Sequence, residues 1–164
     1  MTNRSITSAN SRLSIILQSN GVATDLAVTD TVLSAFADIV GVPLVLEGWA
    51  ADQAFSTAAV TSAEVVQGVD GQKHAGWVPS LVTLSGSVMP DTDTAANLGR
   101  IFQAQRMMRE TFIVTGTLIV PALARSYSLN KGTLTQNVPI PAHNRVQAAQ
   151  TFQIVFESAE EAPY

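Results

Sequence analysis

The sequence predicts a mainly β domain, a β-sandwich or barrel, that carries one amphipathic α-helix. Short segments of alternating or β-branched apolar residues recur along the chain, and turn signals separate them. Only one stretch, residues 91–112, has the pattern of a long amphipathic helix, with apolar residues at three- and four-residue spacing. With 164 residues, the chain is long enough for one core of this kind, so we expect a single domain over 1–164.

The first part of the chain supplies two short strands. Residues 11–18 form an apolar strand that ends at the turn signal Ser19-Asn20-Gly21, and residues 44–48 form a second strand, with Trp49 anchoring its end in the core. Residues 22–41 lie between them. Their apolar spacing suits a helix and their Val and Thr content suits a strand, which predicts an inserted excursion, either a short helix or a strand with a loop.

A hairpin follows over residues 63–79. Asp70-Gly71 separates two extended runs, 64–69 and 72–78. Asp-Gly is a strong signal for a two-residue type I′ turn, which needs positive φ at both central positions. We therefore expect Asp70 and Gly71 to form the tip of this hairpin.

The middle of the chain predicts strand, helix, strand. Residues 81–89 alternate, and a helix over about residues 93–111 follows, with N-cap candidates at Asp91, Thr92 and Asp93. Its core-facing stripe is expected to consist of Leu98, Ile101, Phe102, Met108 and Phe112. Met107 falls on the opposite face, which fits either an exposed surface side chain or a subunit contact.

Three further strand segments complete the prediction. Residues 112–120 form a β-branched strand that stops at Pro121, and residues 127–129 and 133–136 flank Asn130-Lys131-Gly132 as a second hairpin. Residues 147–158 alternate, with Phe152, Ile154 and Phe156 on one face. Residues 159–164 are expected to be a flexible acidic tail.

The charge content bears on the surface of the protein. Only 13% of residues are charged, against about 25% in ordinary soluble domains. A surface this poor in charge indicates that copies of the chain cover one another. The net charge is −4, and the nine basic residues are scattered from Arg4 to Arg145. This distribution does not favour a nucleic-acid-binding patch.

No group of residues in the sequence has the composition and spacing of a known catalytic or metal-binding motif. His74 and His143 are the only histidines and have no metal-ligand spacing, and the chain contains no cysteine. Asp91-Thr92-Asp93 fails as a calcium loop because Ala96 stands where Gly is needed and Phe102 where Glu is needed. There is no G-x-S-x-G motif. We expect no enzyme, no cofactor and no metal.

The sequence carries no targeting signal of the common kinds. The first ten residues are polar and lack the apolar core of a signal peptide. No run of about 18 apolar residues is present to span a bilayer. We therefore expect folding in a cytoplasm without a membrane anchor.

Several segments together resemble the tail tube proteins of contractile-tailed bacteriophages, which are related to type VI secretion tubes. The resemblance rests on the strand after Ser8-Ala9-Asn10-Ser11, the segment Ala50-Ala51-Asp52-Gln53-Ala54-Phe55-Ser56-Thr57, the hairpin around Val69-Asp70-Gly71, the strand–helix–strand from 81 to 120, and the final strand at Gln150-Thr151-Phe152. Residues 22–41 are longer than the corresponding turn of that family.

The resemblance implies a structural virion protein. Subunits of that family form hexameric rings that stack into a hollow tail tube, and DNA passes through the lumen without sequence-specific binding. Sheets join edge to edge around the lumen, and the helix faces outward. Its partners would be other copies, the tail sheath, and the baseplate or initiator and terminator proteins, in a virion tail assembled in the host cytoplasm.

These implications give contact predictions and leave alternatives open. We assign residues 64–78, 81–89 and 147–158 to the barrel and the ring joints, and we predict inter-subunit contacts at Asp70, Gly71 and Met107. One alternative is a monomeric β-barrel carrier that holds a small apolar ligand in a closed cavity. The other is a secretion-system tube or a tail terminator ring protein.

Overall fold

A computed structural model describes residues 10–19, 34–51 and 53–164. The expected excursion over 22–41 falls mainly outside these residues. The described residues include ten β-strands, one long α-helix and a short 3-10 turn. They are β1 (Arg12–Ser19), β2 (Leu44–Leu46), β3 (Phe55–Thr57), β4 (Ala63–Gln67), β5 (Lys73–Trp77), β6 (Val82–Val88), α1 (Asp93–Met108), β7 (Phe112–Val120), the 3-10 turn (Pro121–Leu123), β8 (Arg125–Asn137), β9 (Gln150–Phe156) and β10 (Ser158–Pro163). The predicted mainly β fold with one amphipathic helix is confirmed.

Strand β8 joins two halves of an antiparallel sheet. Its first half lies between β7 and β10, with Arg125 opposite Val120 and Pro163. Its second half pairs with β9. One half-sheet therefore has the order β2-β1-β7-β8-β10, and the other has the order β8-β9-β6-β3. Both halves contribute to one apolar core, which makes the fold a β-sandwich.

The core follows from the alternation of side chains along the strands. In β9, Phe152, Ile154 and Phe156 are buried and the residues between them are less so, as the sequence pattern predicted. Trp49 lies at the margin of the core, where its ring meets Phe55 edge to face with a centroid separation of 5.3 Å. The expected anchoring of Trp49 therefore takes the form of an aromatic contact.

Helix α1 begins as predicted and ends earlier than predicted. The Thr92 side chain caps it by accepting a hydrogen bond of 3.3 Å from the Ala95 backbone N–H. Arg109, with φ of 54°, takes the left-handed conformation that ends the helix at Met108 instead of near residue 111. Phe112 is buried, but it belongs to the first position of β7 and not to the helix.

The predicted helix stripe was wrong at Phe102. Leu98, Ile101 and Met108 are buried, whereas Phe102 is 37% exposed. With 3.6 residues per turn, Phe102 lies about 100° around the helix from Ile101, which is near the centre of the buried face. Smaller side chains complete that face instead, among them Ala104.

Two predictions about the C-terminal third were also wrong. Residues 127–136 do not form a hairpin, because β8 continues through Asn130-Lys131-Gly132 as one strand. The strand is irregular at this point: Lys131 has φ of 46°, and the register with β7 shifts next to Gly132. Residues 159–164 do not fray into a tail. They form most of β10, which pairs along β8 from Asn130 to Arg125.

Candidate assembly interface

The hairpin β4–β5 stands apart from the main sheet. It forms a two-stranded sheet of its own, and all ten of its strand residues are exposed. A two-stranded hairpin is at best marginally stable alone in water, and three strands or a packed face are normally needed. A surface that covers the hairpin would supply that packing.

One face of this hairpin is apolar near its base, while Gln67 and Lys73 lie on the same face nearer the tip. Trp77 lies opposite Ala63 and Val65 lies opposite Ala75, and alternation puts these four side chains on the same face. Trp77 is 78% exposed. Because a tryptophan with this much exposure is rare on a monomer surface, the face indicates an interface.

The turn of the hairpin differs from the predicted type I′ turn. Gly71 has φ of 80°, but Asp70 is not among the described residues with positive φ. The Gly71 N–H donates to the Gly68 carbonyl at 2.9 Å, and the Gly68 N–H donates to the Gln72 carbonyl at 2.8 Å. This pattern is a tight turn followed by a left-handed glycine, a common three-residue hairpin loop. Asp70 stabilises it by accepting a hydrogen bond from the Gln72 N–H at 3.0 Å.

An open apolar cleft lies where the hairpin leaves the sandwich. Its volume is about 740 Å³. Both half-sheets line it, with Val82 and Leu84 from β6 and Leu118 from β7. Val60, in the connection that leads to the hairpin, also lines the cleft. Cleft and hairpin are thus neighbouring parts of one end of the molecule.

The predicted contact residues lie on two different elements. Asp70 and Gly71 are at the hairpin tip, and Met107 is exposed on α1. Beside the tip residues, Val69 is fully exposed, with a relative exposure of 111%. The sequence prediction named the turn itself and missed Val69 and the apolar side chains near the base of the hairpin, although Val65 and Trp77 are visible in the sequence on either side of the turn.

Helix α1 is joined to the segment before β2 by an ion pair that the sequence could not indicate. The Arg100 guanidinium donates two hydrogen bonds to the Asp38 carboxylate, at 2.7 and 2.8 Å, and lies 5.4 Å above the centre of the Phe36 ring. Hydrogen bonding from Arg100 lowers the pKa of Asp38 below its ordinary value. The pair is solvent-exposed, so it orients the segment more than it stabilises the fold.

The described residues show no site for metal chemistry and no long apolar helix. No group of three or more His, Cys, Asp or Glu in this part of the chain could hold a metal ion. His143 lies in a loop, with its Nδ1 2.9 Å from the Pro141 carbonyl oxygen, and His74 lies on the hairpin. Among the helices that the structure describes, none is long and apolar enough to cross a membrane.

Comparison with known proteins gives one family and several structures. The family described as tail fiber protein gp32 matches residues 23–160. No curated protein sequence matches the chain.

Three of the similar solved structures come from contractile injection systems. A chain from the tube-terminating cap of the anti-feeding prophage gives a TM-score of 0.56 at 8% identity, over 100% of this chain and 95% of that chain. A chain from the baseplate of the same particle gives 0.55 at 12% identity, over 99% and 98%. A chain from the sheath/tube terminator of the PVC extracellular contractile injection system gives 0.52 at 9% identity, over 99% and 99%. At these identities the likeness establishes the fold. The resemblance to contractile-tail proteins is therefore confirmed at the level of the fold.

Proposed function

Because the chain belongs to the tail fiber protein gp32 family, whose match spans residues 23–160, we propose that it is a structural subunit of a phage tail. In this proposal, copies assemble into hexameric rings that stack into the hollow tube through which DNA is delivered. The subunit performs no catalysis and needs no cofactor. It assembles in the host cytoplasm and works in the virion tail.

The uncovered β4–β5 hairpin is the observation that carries the proposal. It presents Trp77, Val65 and Val69 to solvent, and it pairs with no other described strand. An isolated monomer would gain nothing from such a hairpin and would risk aggregation. A subunit that inserts it against a neighbouring copy buries the apolar face and gives both chains a stable sheet edge. The proposed contacts at Asp70 and Gly71 lie at the leading tip of this element.

The structures that share the fold support a place in a tail assembly. They come from a baseplate, a tube-terminating cap and a sheath/tube terminator. The low charge content supports a subunit enclosed by neighbours, and the scattered basic residues support a lumen that does not hold DNA by sequence-specific contacts. Met107, exposed on α1, is the proposed contact on the outer side, where further subunits or the tail sheath would pack.

A terminator ring is the second candidate function. Two of the three structures compared above come from a terminating cap and a terminator. A terminator closes a tube and forms a single ring, whereas a tube subunit stacks repeatedly. The two functions therefore differ in the length of the assembly that the same subunit builds.

Sedimentation velocity and negative-stain electron microscopy of the purified chain test both functions. Hollow filaments support the tube subunit, and single rings that do not lengthen with concentration support the terminator. A monomer at every concentration, even with the baseplate and initiator proteins added, contradicts both. A small apolar molecule retained by that monomer in native mass spectrometry would favour the carrier, with the 740 Å³ cleft as its site.

A further inference from the structure

The exposed side of α1 carries three aligned side chains near the C-terminal end of the helix. Phe102, Arg106 and Arg109 follow one another at spacings of four and three residues, and residues so spaced on a helix are neighbours about 5–6 Å apart. Arg106 and Arg109 are exposed, and they form no ion pair or hydrogen bond with other described residues. Phe102 is 37% exposed. This row therefore presents one aromatic ring and two unpaired cations.

Phe102 lines two open grooves, and the first of them is positively charged. It has a volume of about 520 Å³ and lies where α1 leads into β7, with Arg106 and Arg109 among its lining residues. Glu110 is the only acid that lines it, and its carboxylate already accepts a hydrogen bond from the Thr111 N–H at 3.0 Å. The chain as a whole has a net charge of −4. The two guanidinium groups thus form a positive site on an acidic protein.

The second groove is polar and has a volume of about 460 Å³. Its lining includes Gln136 and Asn137, whose side chains form no hydrogen bond with other described residues. A side-chain amide donates and accepts as a peptide group does, so both residues can bond to a polypeptide backbone. In the first groove, the Nε2 of Gln105 is buried without a hydrogen-bond partner, which is costly for a donor. Rotation of this side chain toward the groove would let it donate to a bound carbonyl.

The spacing of the row fits an extended chain with acidic side chains at alternate positions. Such side chains lie on the same side of a strand, about 6–7 Å apart. Two carboxylates at this spacing would reach Arg106 and Arg109, since arginine pairs with a carboxylate through two parallel hydrogen bonds. The next side chain on that side would lie over Phe102, where an apolar group suits the ring. An extended chain also leaves backbone groups free for Gln136 and Asn137, which a helix does not.

Another copy of this chain is a poor source of such a segment. Of the thirteen acidic residues, only Asp91 and Asp93 are two positions apart. Both are held at the start of α1, where the Thr92 N–H donates to the Met89 carbonyl at 3.3 Å and the Thr92 side chain caps the helix. They cannot extend without loss of this cap. A different protein is therefore the better source of the acidic segment.

Nucleic acid fits the surface less well than an acidic polypeptide. Stable binding to a phosphate backbone takes many cationic contacts, and the row supplies two. The net charge of −4 also repels a long polyanion more than a short segment with two acids. The exposed aromatic ring and the free amides suit a polypeptide, which brings apolar side chains and a neutral backbone.

We propose that this surface of α1 binds an extended acidic segment of a different protein. Two carboxylates of the segment, at alternate positions, pair with Arg106 and Arg109, and an apolar side chain two positions further packs on Phe102. Met107, the contact proposed above for the outer side, is next to Arg106 in α1. The inference thus names the chemistry of a partner for this side, and it does not require that the copies form rings or a tube.

Fluorescence anisotropy with the full chain and a labelled peptide, Glu-Ser-Glu-Ser-Leu, tests the proposal. We expect saturable binding that weakens as salt is added, and weaker binding of Gln-Ser-Gln-Ser-Leu and of Glu-Glu-Ser-Ser-Leu, in which the acids are adjacent. A chain with both Arg106→Gln and Arg109→Gln should bind the first peptide at least about tenfold more weakly, because two charged hydrogen-bonding pairs are lost. Arg145→Gln, which removes an exposed arginine outside α1, should bind like the wild type.

A second variant tests the aromatic contact. Phe102→Ala should weaken the binding of Glu-Ser-Glu-Ser-Leu more than that of Glu-Ser-Glu-Ser-Ser, because only the first peptide places an apolar side chain on the ring. Equal losses for the two peptides contradict this contact. Neither Phe102 nor the two arginines belong to the described core, so circular dichroism spectra and melting temperatures should match the wild type.

Several results would overturn the proposal. The wild type could fail to bind the peptide, the double arginine variant could bind as tightly as the wild type, or Arg145→Gln could weaken binding equally. Tighter binding of a single-stranded oligothymidylate through the same arginines would identify a nucleic-acid surface instead. Loss of self-association by the double variant in sedimentation velocity, without any peptide, would show that another copy occupies the surface. Rings or filaments of the wild type in electron microscopy decide the proposed function separately.

Discussion

Excision of the β4–β5 hairpin should separate folding from assembly. The Val78 N–H donates to the Ser62 carbonyl at 3.1 Å at the base of the hairpin. Residues 63–77 can therefore be replaced by two glycines, which close a short hairpin turn without moving the chain on either side. The Ser80 hydroxyl, which donates to the Thr61 carbonyl at 2.6 Å, keeps the base together in the shortened chain.

The magnitude of each effect follows from burial. All ten strand residues are exposed and none belongs to the described core, so the free energy of unfolding should change by no more than about 0.5 kcal/mol. The effect on assembly is larger. Trp77 is 78% exposed, and covering roughly 150 Å² of it at about 25 cal/mol per Å² is worth about 4 kcal/mol. Even if ordering the interface offsets most of this gain, the association constant should fall more than about tenfold.

Urea denaturation measures the first quantity and sedimentation velocity measures the second. A point variant, Trp77→Ala, should reproduce the loss of assembly, whereas His74→Ala, on the other face of the same hairpin, should not. The reasoning is refuted if the excised chain assembles like the wild type. It is also refuted if excision destabilises the monomer by several kcal/mol, since the hairpin would then be part of the fold.

Three further predictions concern the monomer. Gly132→Ala should destabilise the fold by about 1–3 kcal/mol in urea denaturation, because an added Cβ would clash with ring atoms of the buried Phe156; unchanged stability would contradict this packing. Thr92→Ala should cost about 1 kcal/mol by loss of the helix cap, and Thr92→Ser should restore most of it. In an NMR titration, Arg100→Gln should raise the pKa of Asp38 toward its ordinary value. Because Arg100 lowers the pKa of Asp38 in the folded wild type, the ion pair stabilises the fold above the pKa that Asp38 has in the unfolded chain. This stabilisation is lost as the pH falls through the pKa of Asp38 in the folded protein. A pKa of Asp38 that is the same in Arg100→Gln and in the wild type would refute the pairing.

Local patterns in the sequence sufficed for much of the fold. The alternation of Phe152, Ile154 and Phe156 predicted a strand with one buried face, because successive side chains of a strand point to opposite faces of the sheet. The N-cap candidates Asp91, Thr92 and Asp93 predicted the start of α1, because a side-chain oxygen at the cap satisfies a free backbone N–H, and the structure uses Thr92. Both signals act within a few residues, so they are readable without the rest of the molecule.

Predictions failed where distant segments decide the outcome. Asn130-Lys131-Gly132 has the composition of a turn, yet β8 continues through it because β7, β9 and β10 pair with the residues on either side. The acidic segment 159–164 has no strand pattern in the sequence, but it pairs with β8 and gains the ion pair between Glu161 and Arg125. Tertiary pairing overrides local preference at both positions.

The candidate interface was only partly visible in the sequence for the same reason. Asp70-Gly71 marked the hairpin tip, since turn chemistry is local. The cleft could not be found, because Val82, Leu118 and Leu123 meet there only after the two half-sheets close. The exposure of Ile140 also depends on the fold, since the same side chain would be buried if its loop packed against the sandwich.

The position of the exposed apolar residues accounts for the low charge content of the chain. Trp77 and Val69 lie on the hairpin at one end, and Ile140 and Val146 lie on the connection from β8 to β9 at the other. A monomer with apolar protrusions at both ends would need a strongly charged surface to remain soluble, yet only 13% of residues are charged. In the proposed assembly, neighbouring copies would cover these protrusions and remove them from water. A subunit covered in this way needs fewer charged residues on its surface, which agrees with the low charge content of the chain.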